Sequence, residues 1–225
     1  MPDKTALIVG ASRGLGLGLA KELRARDWAV IGTARDRAGS ERIEALGARA
    51  EIADTADAGS VAALSRRLSG EAFDLVFVNA GIKGAEQDPA RATQAEIAEL
   101  FTINSVAPVG IARQFLGRVR DGGGIVAFMS SDLGSVTRTT DNYIPLYRAS
   151  KAALNSLIRS FAADLGGRRA TVLAIHPGWV RTDMGGAQAP VGIAESVRGI
   201  ADVLEARAGT LRHGFVDYRG VELPW

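Results

Sequence analysis

The stretch TALIVGASRGLG, Thr5 to Gly16, decides the fold. TALIVG reads as a buried strand of a parallel sheet, and Leu15 to Arg26 then carries helical periodicity. Between them Gly10, Gly14 and Gly16 follow the spacing G-x-x-x-G-x-G, a relative of the dinucleotide fingerprint G-x-G-x-x-G. Gly10 permits a tight turn off the strand. The other two let backbone and helix approach a pyrophosphate, whose charge is bound by free N–H groups at the helix N-terminus. A plain strand-to-helix turn is the alternative, and the rest of the chain must choose between them.

Outward from this stretch, short β-branched runs alternate with longer helical ones. Further strands are expected at WAVIGT (28–33), ARAEIA (48–53), FDLVFVN (73–79), GIVAFMS (124–130), ATVLAIHP (170–177) and GFVDY (214–218). Helices are expected near 40–46, 60–68, 94–118, 146–165 and 194–206. Strict alternation implies a parallel sheet covered on both faces and joined by right-handed crossovers. The expectation is α/β: a single doubly wound, Rossmann-type domain over residues 1–225.

Composition excludes several function classes. The 225 residues carry 27 basic and 25 acidic side chains, a net +2, with no run of five or six like charges, so no nucleic-acid partner is expected. There is no cysteine, and the two histidines lack ligand spacing, so no metal site is expected. No apolar run approaches the length of a membrane span. The N-terminus leads straight into a strand without a signal pattern, which points to a cytoplasmic protein.

The segment YIPLYRASK (143–151) offers two tyrosines. Tyrosine has an ordinary pKa near 10, too high for efficient acid–base work at neutral pH unless a nearby cation favours the phenolate. Residues four apart share a helix face, so Lys151 can approach Tyr147, while Pro145 suits a helix start and leaves Tyr143 in the loop before it. Tyr147 is the candidate acid. Serines in MSSDLGS (129–135) end the fifth strand, where a hydroxyl can hold a carbonyl oxygen; a strand-end turn is the plainer reading.

Ligands in a doubly wound sheet lie beyond the strand C-termini. Asp54 ends the third strand, where it can accept from an adenine amino group or merely cap a turn. Asn79, Ala80 and Gly81 end the fourth. NAD-type sites place a carboxylate after the second strand, whereas NADP-type sites use arginine for the 2′-phosphate. Here Thr33 and Ala34 occupy that place, Arg35 follows, and Arg13 in the glycine loop can reach the same phosphate. Asp36 favours NAD if it points inward, and is otherwise a helix cap.

GASRGLG, NAG, Asn104 in FTINSVAP, the Ser131 region, YRASK and HPGWVRTDMGG appear in the order of the short-chain dehydrogenase/reductase family, which the chain resembles from its first strand to its end. The tail GFVDYRGVELPW and the loop DMGGAQAP are similar to carbonyl reductases of the sniffer and C-factor type. The resemblance implies a catalytic set of Asn104, Ser131, Tyr147 and Lys151. In it Ser131 holds the substrate oxygen, Tyr147 protonates it, and Lys151 lowers the tyrosine pKa and binds ribose hydroxyls. Asn104 holds a water behind the lysine. It implies NADP(H) contacts at Gly10, Ser12, Arg13, Gly14, Leu15 and Gly16. Others follow at Arg35, Asp54, Asn79, Ala80 and Gly81, at Tyr147 and Lys151, and at Pro177, Gly178, Val180 and Thr182. It further implies a carbonyl or alcohol substrate and a homodimer or homotetramer.

Two departures bear on the site. Val9 replaces the family's usual threonine before the first glycine, which would loosen the loop. The span from Ser131 to Tyr147 is longer than usual, which leaves Ser130 and Ser135 as rivals to Ser131. His176 reads as a structural strand end, and Trp179 and Met184 either line a pocket or pack. Two other classes compete with an NADPH-dependent carbonyl reductase. One is an NADP(H)-sensing regulator without turnover. The other is a sugar-nucleotide epimerase, for which the chain after Lys151 is short.

Overall fold

The computed structural model describes residues 3–225. Its strands are β1 (Lys4–Val9), β2 (Trp28–Ala34), β3 (Arg49–Ile52), β4 (Leu75–Val78), β5 (Ile125–Met129), β6 (Thr171–His176) and β7 (His213–Asp217). They form one sheet in the order β3-β2-β1-β4-β5-β6-β7, and every neighbouring pair is parallel. All seven lie within two residues of the ends expected from the sequence. The fold is α/β and doubly wound, as the alternation implied.

The helices are α1 (Gly14–Ala25), α2 (Arg37–Glu44), α3 (Ala58–Arg67), α4 (Gln94–Phe101), α5 (Ala107–Leu116), α6 (Pro145–Ala163) and α7 (Ile193–Arg207). Side chains alternate across each strand and so feed two cores. Leu7, Val9, Val76, Val78, Val126 and Phe128 pack with α3, α5 and α6. Ala6, Ile8, Leu75, Phe77, Ile125 and Ala127 pack with α1, α2 and α7. Burial on both faces is why the central strands read as unbroken apolar runs.

One expected element is altered. The helix predicted over 94–118 divides into α4, a five-residue π turn (Thr102–Val106) and α5. Its start was written in the sequence: Thr93 and Glu96 form a capping box, each side chain accepting from the other's backbone N–H. The Gln94–Leu116 span is long and apolar enough in composition to cross a membrane. Its apolar side is used instead on the sheet, where Ile111, Ala112, Phe115 and Leu116 are buried.

Candidate active site

Because all strands run one way, the loops after β1, β4, β5 and β6 gather at one edge of the sheet. The chain departs in opposite directions from β1 and β4, which lie side by side, and this switch point opens a crevice at their C-termini. The glycine loop forms one wall. Gly10 adopts φ +88°, and a Cβ at Gly16 would lie 2.1 Å from the Gly10 carbonyl oxygen. Only glycine permits that closure. Asn79 donates to the same oxygen at 2.7 Å, tying the loop to the end of β4.

Thr33 resolves the departure at Val9. Fully buried at the end of β2, its hydroxyl accepts from the Gly10 N–H at 2.9 Å, so a threonine from the neighbouring strand steadies the loop. The position where an NAD-type carboxylate belongs is thus occupied by a structural residue. Asp36 does not replace it. Its carboxylate accepts from the Gly39 N–H at 2.7 Å as the N-cap of α2.

Three arginines border this end of the crevice. Arg35 is exposed beside it. Arg42, which sequence reasoning missed, donates from Nε to the Ser12 carbonyl at 2.8 Å. Nothing in the local pattern marks it, since it sits on α2 thirty residues away. Arg13 pairs with Asp183, 2.6 Å away on the loop after β6. Both side chains are largely exposed, and such a pair contributes at most about 1 kcal/mol. Gly14 lies opposite Thr182. Asp54 is exposed and takes the plainer of its readings, accepting from the Ala56 N–H within its own turn. The Thr182 hydroxyl likewise closes a turn, accepting from the Gly185 N–H at 3.1 Å.

The chemical end lies between β5 and α6. Of the three serines, Ser130 donates to Asn155 at 2.6 Å and Ser135 to the Trp225 carbonyl at 3.4 Å, both buried away from the crevice. Ser131 caps a 3₁₀ turn (Asp132–Gly134), and its hydroxyl is the one that neighbours the Tyr147 phenol. Lys151 reaches under the same helix. Its ammonium is buried, donates to the Met129 carbonyl at 3.0 Å and lies 5.9 Å from the Tyr147 ring centre. Among the described residues this is its one hydrogen-bond partner, although an ammonium carries three donors.

The pKa directions correct one expectation. Lys151 was expected to depress the tyrosine. Instead burial pushes the phenol up to about 12, the Asp132 charge adds to this, and Ser131 offsets part of it. Burial also lowers Lys151 to about 8. Both groups are buried, and desolvation is the largest influence on each.

Asn104 sits in the π turn, fully buried. Its amide donates to the Ile82 carbonyl and accepts from the Ile82 N–H, both at 2.8 Å, and also donates to Ser150 at 3.0 Å. With both amide hydrogens committed, the Asn104 side chain ties the loop after β4 to the π turn and to α6. A second residue missed from sequence is Gln87, which accepts from the Tyr147 N–H at 3.0 Å and caps the start of α6. It substitutes for Ile144, whose position before the helix is left-handed (φ 43°) and whose side chain has no acceptor.

A family model described as short chain dehydrogenase matches residues 4–190. The chain belongs to the short-chain dehydrogenase/reductase family. Within that family it is 37% identical to the C-signal of Myxococcus xanthus over 153 residues, covering 68% of this chain and 92% of that one. It is similar to a carbonyl reductase from Pseudomonas aeruginosa PAO1 in complex with NADP, at 41% identity and TM-score 0.90 over 99% of each chain. The carbonyl reductase Sniffer of D. melanogaster matches at 30% identity and TM-score 0.89, again over 99% of each.

As a short-chain dehydrogenase/reductase, the chain has residues that suit a dinucleotide. The glycine loop closes so tightly that backbone lines the crevice, three arginines border one end, and a buried ammonium with unused donors lies at the other. Trp179 and Met184, whose roles were open, are 56% and 44% exposed on the loop after β6. Neither is consumed by the core.

Proposed function

We propose that this protein is an NADPH-dependent carbonyl reductase. The observation that carries the reading is the grouping of Ser131, Tyr147 and Lys151 beside a glycine-lined crevice. The likeness to carbonyl reductases, one of them solved with NADP, supports it. Gly10 to Gly16, Asn79 to Gly81, Pro177, Gly178, Val180 and Thr182 would hold the dinucleotide, with Lys151 on its ribose hydroxyls. Bound there, the nicotinamide supplies a hydride to the carbonyl carbon.

The chain's own groups manage the oxygen. Ser131 donates to it and orients the carbonyl. Tyr147, protonated across the whole neutral range because its pKa is about 12, gives up its proton as negative charge develops there. The Lys151 ammonium faces the resulting phenolate. Above pH about 8 the lysine loses its charge, so reduction should decline as pH rises through that value. Exposed Trp179 and Met184 favour an apolar or aromatic carbonyl compound. NADPH oxidation against a panel of aldehydes, ketones, diketones and quinones tests the reading. Tight NADPH binding with no oxidation by any of them would favour a sensor instead.

Cofactor preference is the finer test. With Asp36 committed to the helix cap, no carboxylate at the end of β2 opposes a 2′-phosphate, while Arg35 stands free to bind it. A hydrogen bond to a charged group contributes roughly 1.5–3 kcal/mol. Arg35→Ala should therefore raise the KM for NADPH by about tenfold or more and leave that for NADH nearly unchanged. Steady-state kinetics with both cofactors decides it, and equal losses for the two would remove Arg35 from the site.

A further inference from the structure

His176 closes β6, one residue before the Pro177–Gly178 turn, and its sequence position suggests only a structural place. Its surroundings are more specific. Nδ1 accepts a hydrogen bond from the Asp132 main-chain N–H at 3.1 Å. Asp132 follows Ser131 and opens the 3₁₀ turn that Ser131 caps, its hydroxyl accepting from the Leu133 N–H at 3.2 Å. The same Nδ1 lies 3.5 Å from the Asp132 carboxylate. One nitrogen thus faces both an N–H that needs an acceptor and a carboxylate that needs a donor. A neutral imidazole protonated on Nε2 serves the first, and an imidazolium serves only the second.

We propose that His176 is a positioning residue for the reduction, a titratable acceptor that holds the Ser131–Asp132 peptide so that the Ser131 hydroxyl meets the Tyr147 phenol. The proposal rests on the reading of Ser131 and Tyr147 as the reacting pair. The charged groups facing the imidazole come from four segments. Asp132 from the 3₁₀ turn and Asp217 from β7 favour its charged form; Arg138 from the loop before α6 and Arg219 from the turn after β7 oppose it. Burial is the largest influence and holds His176 below its usual 6.5, so the ring is neutral at neutral pH.

As pH falls through that depressed value, Nδ1 gains a proton. The Asp132 N–H then loses its acceptor, and the carboxylate takes the new donor. Because the native pKa lies below the unfolded one, the contribution of His176 is complete above pH 6.5 and is lost on acidification through the native value. The turn therefore has two arrangements, and the catalytic serine belongs to it.

The test compares kcat against pH, over about pH 5 to 8, for the native enzyme, His176→Asn and His176→Leu. NADPH affinity is followed by fluorescence titration, and far-UV circular dichroism is recorded at each pH. His176→Leu leaves the Asp132 N–H unpaired and should lower kcat by about tenfold with NADPH affinity unchanged. His176→Asn presents an acceptor that does not titrate. It should restore most of kcat and abolish the native decline below pH 6.5. An unchanged acid decline in the Asn variant, or equal loss of kcat in both variants, would overturn the proposal. Should the Leu variant not fold, the Asn profile alone decides. Retained turnover in Tyr147→Phe sinks the underlying catalytic assignment; its loss alongside a native-like His176→Asn profile sinks only this inference.

Discussion

Tyr147→Phe is expected to lower turnover by about 10²–10⁴-fold, the usual contribution of general acid–base catalysis, while NADPH still binds. The substitution removes the proton donor and almost no volume. Phenylalanine fits the same position on α6, and the Gln87 cap on the main-chain N–H is untouched. Tyr143→Phe should keep most activity. That residue is 59% exposed on the loop before Pro145, and the left-handed Ile144 separates it from the helix face that carries Tyr147 and Lys151. Single-turnover reduction with each variant settles the order, and a larger loss in Tyr143→Phe would reverse the assignment.

Lys151→Met should abolish most turnover and yet make the cofactor-free protein more stable. Burial lowers the ammonium from 10.5 to about 8, so below pH 8 the native state carries a charge it disfavours. That shift corresponds to a cost of about 3 kcal/mol, from which the lost hydrogen bond to Met129 subtracts about 1 kcal/mol. The variant should therefore gain about 2 kcal/mol at neutral pH. Between pH 8 and 10.5 the native lysine is neutral while the unfolded one is still protonated, so native stability rises with pH and the gain shrinks across that window. Urea unfolding of both proteins at pH 7 and pH 10 reads the difference directly. A variant less stable than the native protein at pH 7 would show that the ammonium is satisfied where it lies. Stability given up at a functional residue is a common pattern.

The comparison of native and variant also separates the two roles proposed for the lysine. Loss of turnover without loss of NADPH affinity would assign Lys151 to the phenolate alone. Loss of both would place it on the ribose as well.

Much of this molecule was legible in one dimension because the features involved are local. The central strands announced themselves by β-branched apolar residues buried on both faces, and the first helix by its periodicity after the glycine loop. Alternation of the two, with crossover handedness fixed, leaves few ways to assemble a sheet. The glycine loop was legible because its closure forbids a Cβ at Gly16. The choice of Tyr147 over Tyr143 followed from helical spacing and from Pro145.

What tertiary structure alone decided were the contacts between residues far apart in the chain. Thr33 steadying the glycine loop, Asp36 turned into its own helix, Arg42 on Ser12 and Gln87 capping α6 each depend on where a neighbouring element lies. The π turn around Asn104 has no residue-type signature, because a single added residue only shifts the helical phase. Among the serines, the spacing left three candidates, and packing against Asn155 and Trp225 removed two from the crevice. The direction of the tyrosine pKa was misjudged for the same reason. Sequence spacing shows that a lysine and a tyrosine share a helix face, but burial depth determines whether attraction or desolvation prevails.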